Sequence, residues 1–296
     1  MNSYNKEAIF HLPGMFAHTS LYTCLLNLVK SNPDYLKNNV KIGSIYGTPG
    51  GIWNGGRVNW NLFSKKNVLE DIKNAMASFN IPVRFTFTNC LIEQSHLNDA
   101  YCNMILEVFN NGRNEIICNK EILENYIREK YGNRYKYISS TTKRLTNEQS
   151  QLEEVEKDYY LIVLDYDYNK NFSFLEKIEN KEKCELLCNA VCRPKCPFRV
   201  KHYEDLSYCQ LYFDNSNPMK CPSKDSERWF WEVEKRGGNF ISNKDINEIY
   251  LPMGFKHFKL EGRTTHPLDL IEILLYYLIK DKYHLEVRAK LQQAIW

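Results

Sequence analysis

The chain of 296 residues lacks a long apolar run. Its best candidate, 271–279, falls well short of the ~20 residues that a bilayer-spanning helix needs, so no membrane contact is expected. A secretory leader is not expected either. The first six residues are polar, and 8–25 is interrupted by His11, Pro13, Gly14 and His18. These absences predict a cytoplasmic protein whose cysteines are thiols or metal ligands rather than disulfides. Charge of one sign is also scarce. The 39 basic and 36 acidic residues leave +3, and Lys and Arg are scattered along the chain. That balance does not by itself imply a nucleic-acid partner. Low-complexity segments and short repeats are missing. So are G-x-G-x-x-G, H-E-x-x-H and G-x-S-x-G, which removes the commonest dinucleotide-binding, zinc-protease and serine-hydrolase readings.

What the chain does have is a cysteine cluster. Cys184, Cys188, Cys192 and Cys196 fall at equal four-residue steps, and Cys209 and Cys221 follow. Arg193-Pro194-Lys195 separates Cys192 from Cys196 and favours a loop there. Cys221 precedes Pro222, which also points to irregular backbone. Thiols on loops can converge on one centre, and four thiolates suit a tetrahedral zinc ion or a 4Fe–4S cluster. The C-x2-C knuckles of zinc fingers are absent, and so is the C-x3-C-x2-C of radical S-adenosylmethionine enzymes. Cys184 and Cys188 share one side of a predicted strand and read first as core filling, with Cys188 a reserve ligand.

The rest alternates β-type runs with helical patterns. Strands are predicted at 40–46, 83–88, 115–118, 135–140, 159–164, 184–188, 239–242 and 257–260. Helices are predicted at 67–79, 95–110 (capped by Ser95), 120–131, 172–180 and 267–279. Eight β runs with mostly helical connections predict an α/β fold, a single (β/α)8 TIM-type barrel over 1–296. An open doubly wound sheet is the second option. The connection between the sixth and seventh predicted strands is long and carries most of the cysteines, so 190–238 reads as a cysteine-rich insertion at the barrel mouth.

In such a barrel the chemistry lies at the C-terminal ends of the strands. Tyr46, Asn89, Asn119, Ser140, Asp165, Asn189, Asn243, Glu261 and Arg263 fall there. Of these, Asn89, Asn119, Asp165 and Asn189 are the candidate substrate contacts, joined by Arg57 after Gly55-Gly56. Glu261 and Arg263 stand two residues apart on one strand end and share a side. They form either a catalytic carboxylate with an anion clamp, or an ion pair that closes the barrel. Trp229, Phe230 and Trp231 either stack a flat substrate or plug the barrel.

The run Phe258-Lys259-Leu260-Glu261-Gly262-Arg263 resembles the F-K-(I/L)-E-G-R signature of the U32, or collagenase-like, peptidase family. Glu185-Leu186-Leu187-Cys188-Asn189-Ala190-Val191-Cys192 resembles that family's strand into its first cluster cysteine. The resemblance covers roughly 40–285, with these two segments its specific parts. It implies a (β/α)8 barrel with a 4Fe–4S cluster held by Cys192, Cys196, Cys209 and Cys221, or zinc in its place. It also implies an oxygen-independent hydroxylase or redox enzyme acting on an RNA base or a small aromatic or polar metabolite, in some members with prephenate as hydroxyl donor. An electron donor or protein partner would follow. A non-catalytic iron–sulfur scaffold for another protein is the alternative, and peptidase action is the third reading. The first cysteine pair is closer together than the family pattern, and the fourth cysteine follows sooner.

Overall fold

The computed structural model of the protein describes residues 6–56, 62–216 and 221–295. Eight strands follow in chain order: β1 Ala8–Pro13, β2 Val40–Gly47, β3 Val83–Phe87, β4 Glu115–Cys118, β5 Lys136–Ser139, β6 Leu161–Val163, β7 Cys184–Leu187 and β8 His257–Lys259. Each pairs in parallel with the next. β8 closes on β1, with His11 opposite Lys259, so the sheet is a closed barrel. The expected α/β TIM-type architecture is therefore what the chain forms.

Helices fill the connections: α1 Thr19–Ser31, α2 Lys66–Ser78, α3 Ala100–Phe109, α4 Glu121–Tyr131, α5 Glu148–Glu156, α6 Phe172–Lys177, α7 Arg199–Tyr212 and α8 Phe230–Arg236. Short turns α9 Asn243–Asp245 and α10 Leu251–Met253 precede β8, and α11 Pro267–Leu278 and α12 His284–Gln293 follow it. Local chemistry starts several of them. Asp99 accepts the Cys102 amide hydrogen bond at 2.7 Å to cap α3, so that helix begins later than the Ser95 cap predicts. Asn147 caps α5 through Ser150 N in the same way, at 2.8 Å.

The strand count of eight is met by a different set of strands. β1 precedes the first strand expected, that at 40–46. His11 is polar because it points into the barrel, and Pro13 ends the strand, where a missing amide costs least. Conversely, 239–242 is not a barrel strand, because β7 pairs directly with β8 and leaves no vacant edge. Phe240 and Ile241 are buried there, and Ile241 N donates to Cys188 O at 2.8 Å. The long cysteine-bearing connection consequently joins β7 to β8.

The barrel interior is divided. Ile117, Ile138, Leu161 and Val163, from β4 to β6, form a small apolar cluster of their own. Charged and polar side chains also face inward, Glu115 of β4 among them. Arg84 donates to Glu115 at 2.6 Å, to Glu185 at 2.5 Å, and meets His11 Nδ1 at 2.9 Å. His11 also meets Ser44 Oγ at 2.8 Å and His257 Nδ1 at 3.0 Å. Ile117 stands two residues beyond Glu115 and so faces the same inward side, nearer the C-terminal mouth.

Candidate functional site

A cavity of about 460 Å³ opens at the C-terminal mouth of the barrel. Its floor and one wall come from β8 and the residues after it: Lys259, Glu261 and Arg263, whose alternation puts all three on the inward face. Gly262, between them, has φ +153°, and a Cβ there would meet Pro13 Cγ at 3.2 Å. The glycine of the motif is thus what lets the chain turn off β8 against β1.

Arg263 is held from two sides. Nη1 donates to Thr86 Oγ1 at 2.5 Å and to Asn54 Oδ1 at 3.2 Å, and Nη2 donates to the Gly55 carbonyl at 2.7 Å. Gly55 approaches Thr88 so closely that a Cβ would lie 2.4 Å from the Thr88 carbonyl carbon, so no other residue brings this carbonyl to Arg263. Glu261 Oε2 accepts from Val191 N at 2.9 Å. Each of the two side chains therefore has protein partners that fix its direction while it lines the cavity.

Lys259 was not singled out in the sequence, although the alternation that groups Glu261 with Arg263 includes it. Its Nζ lies 4.0 Å over the Tyr46 ring and 3.6 Å from Glu185 Oε1. Tyr46 is fixed in turn by donating from its hydroxyl to Leu260 O at 2.6 Å. Burial lowers the Lys259 ammonium to about 7. Glu185 opposes that change, and the charges of Arg84 and Arg263 add to it.

Helix α7 covers the mouth. Arg199, His202, Tyr203 and Leu206 line the cavity at helical spacing. Arg199 anchors the helix start: its guanidinium donates to both Asp167 oxygens at 2.8 and 3.0 Å and packs 4.2 Å from the Tyr166 ring centre. No sequence signal marked this arginine, because its partners are distant in the chain.

The predicted substrate contacts divide on inspection. Asn89 is buried and donates to Ile52 O at 2.8 Å and to Ser207 O at 3.0 Å, which fastens α7 from below. Asn189 exchanges two hydrogen bonds with the Glu261 backbone, at 3.0 and 2.7 Å, bracketing the end of β8. Asn119 donates to Thr142 Oγ1 at 2.9 Å and positions that lining residue. Asp165 pairs with Arg144 and lies 3.5 Å from Arg199, and burial raises its carboxyl despite both cations. These four support the cavity wall rather than line it. Arg57 lies outside the described residues. Of the aromatic trio, Trp229 stands at the rim, half exposed. Phe230 is buried against Tyr276 and Tyr277 in the core, and Trp231 is an exposed neighbour of Phe230.

The thiols are brought only partly together. Cys192 and Cys221 line the cavity, and Cys192 Sγ receives Arg199 Nε at 3.4 Å. Burial raises the Cys192 thiol, with Arg199 opposing and Cys196 adding to the rise. Arg193 feels both Cys196 and Cys221. Cys209 sits on α7, where Asp205 and Asp214 are its charged neighbours. Among the described residues no group of three or more His, Cys, Asp or Glu side chains is placed to hold a metal ion. The four sulfurs as they stand do not form a cage, and no step below is routed through a cluster.

No family model matches the chain. An uncharacterized protease of Methanocaldococcus jannaschii is 25% identical over 140 residues, a match covering 43% of this chain and 39% of that protein. The match thus spans about two-fifths of the curated relative's length. A solved U32 peptidase structure superposes with a TM-score of 0.53 at 12% identity, covering 88% of this chain and 95% of that one. That likeness is one of fold. The chain thus shares the closed-barrel fold of that U32 peptidase structure, and its Phe258–Arg263 run resembles the U32 signature.

Proposed function

We propose that this chain is a U32-type enzyme that takes a small polar or aromatic metabolite, or a base presented by RNA, into the barrel mouth and acts on it by hydroxylation or redox chemistry. The observation that carries the binding part is the cavity itself. Its volume of about 460 Å³ suits one small ligand, and it lies at the face where barrels of this kind place their chemistry. Arg263 orients an anionic or carbonyl oxygen. Glu261, aimed by Val191 N, accepts or returns a proton. Trp229 and Tyr166 offer aromatic faces to a flat substrate. The reaction class is drawn from the family resemblance. The names of the two similar proteins point instead to peptide hydrolysis.

The 4Fe–4S cluster, or zinc in its place, is proposed on the resemblance and on the nearness of Cys192, Cys196 and Cys221 to one opening. Bound, it would supply electrons or structural support. Iron, sulfide and zinc analysis after anaerobic purification decides it: stoichiometric iron with sulfide is expected, and metal-free protein rejects it.

The binding reading is tested by comparing metabolites and modified nucleosides in cells with the protein, without it, and with Arg263→Lys. Lysine cannot reproduce the two-sided guanidinium hold, and losing a charge-assisted pair weakens binding by about 10- to 100-fold. Arg263→Lys cells should therefore resemble cells lacking the protein while the variant stays folded. Wild-type profiles in those cells would refute the assignment.

A second reading, a scaffold for a protein partner, is favoured by the outer face of α7. Phe198, just before the helix, and Val200, Tyr208 and Tyr212 on it are about half exposed.

A further inference from the structure

We infer that Lys259 is the nucleophilic amine of the cavity and that it takes a small aldehyde or ketone, which it binds as an imine. This goes beyond the function proposed above, which requires only that a substrate enter the mouth.

Lys259 stands on β8, is 7% exposed, and lines the cavity. Its carboxylate neighbour among the described residues is Glu185, and the 3.6 Å separation from Oε1 exceeds a hydrogen bond. The other oxygen of Glu185 is taken by Arg84 at 2.5 Å, and Arg84 is itself held by Glu115 at 2.6 Å. The guanidinium thus has the better claim on that carboxylate, and Lys259 is left with a weak share. Tyr46 carries the ammonium on its ring face, with the hydroxyl turned away to Leu260 O. Burial and the nearby guanidinium charges bring the amine to about 7, so a large part of it is unprotonated at neutral pH. A desolvated lysine beside cationic groups is the standard way to obtain such an amine. A lysine kept only to balance charge inside the barrel would have no need to face the cavity.

The step balances without a further reactant. A proton leaves Nζ, and the nitrogen lone pair forms a C–N bond as the carbonyl π pair moves to oxygen. The resulting carbinolamine loses its oxygen as water as the C=N bond forms. Ammonium and carbonyl compound become protonated imine and water, with no net transfer of protons or electrons. Glu185, kept ionised by Arg84, is the counter-charge to the iminium. Ile117 and Leu187 line the same cavity and limit water there.

Glyoxylate and propanal serve as probes, each with cyanoborohydride, on the full wild-type chain, followed by peptide mapping. Lys259 should acquire the reduced adduct at least about tenfold faster at pH 7 than exposed Lys65 and Lys66. Its labelling rate should level off above about pH 7. Lys259→Arg retains the charge and should lose the adduct. Labelling of Lys259 no faster than Lys66 overturns the inference, and the wild-type comparison stands even if the variant folds poorly. The probes need no physiological substrate, so the result is read independently of the metabolite comparison above.

Discussion

Arg84 is a fully buried guanidinium, tied by Glu115, Glu185 and His11 from three other strands. Removing one member of such a group leaves its partners charged and unpaired, which costs about 3–5 kcal/mol. Arg84→Met should therefore lose that much in urea unfolding, and a loss below about 1 kcal/mol would show the carboxylates to be satisfied in another way. At this scale the sequence was readable where spacing carried direction. Glu261 and Arg263, two apart on a strand end, do face one cavity. Lys259 follows the same alternation and lines the same cavity. Asn89, Asn119, Asp165 and Asn189 also fall at strand ends, yet they do not line the cavity. Polarity at a strand end does not distinguish a side chain that meets a ligand from one that satisfies buried backbone, and these spend their hydrogen bonds within the fold.

Among the elements, helix α7 matters most to the site because it roofs the cavity without belonging to the barrel rhythm. It is fastened at its start by Arg199 to Asp167 and farther along by Asn89 to Ser207. Asn89→Ala removes the second fastening, so backbone amides of 199–212 should exchange with solvent faster, while those of β3 keep their protection. Unchanged exchange in α7 would mean that packing alone holds it. Neither α7 nor β1 was legible beforehand. No helix was expected within the cysteine-rich 190–238, and the first strand was expected at 40–46. β6 was the plainest strand to read, because Leu161, Ile162 and Val163 are apolar and buried on both faces. The extended 239–242 reads like a strand, and only closure of β7 onto β8 excludes it.

Over the whole molecule, the divided barrel interior makes stability depend on pH. Burial holds His11 well below its ordinary value and His257 at about 4, so both are neutral in the fold. In the unfolded chain each titrates near 6.5. Between these values the unfolded state binds more protons, so stability is complete above about pH 6.5 and declines as pH falls toward 4. Burial works against the Glu185 carboxylate, yet Arg84, His11 and Lys259 hold it well below the usual range. Its contribution is present above about 4.5 and is lost only at more acid pH. His257→Asn should flatten the fall in melting temperature between pH 6.5 and 4.5, and an unchanged slope would place the dependence elsewhere.

The barrel also sets where a substrate must lie. Among the described residues no helix is long and apolar enough to cross a membrane, and the mouth cavity is enclosed by α7 on one side and the end of β8 on the other. A crystal structure of the protein with the compound that accumulates in its absence tests this most directly. The account predicts that compound inside the mouth, within hydrogen-bond reach of Arg263 and beside Lys259. Density for it on the outer face of α7, or anywhere outside the cavity, would contradict the account.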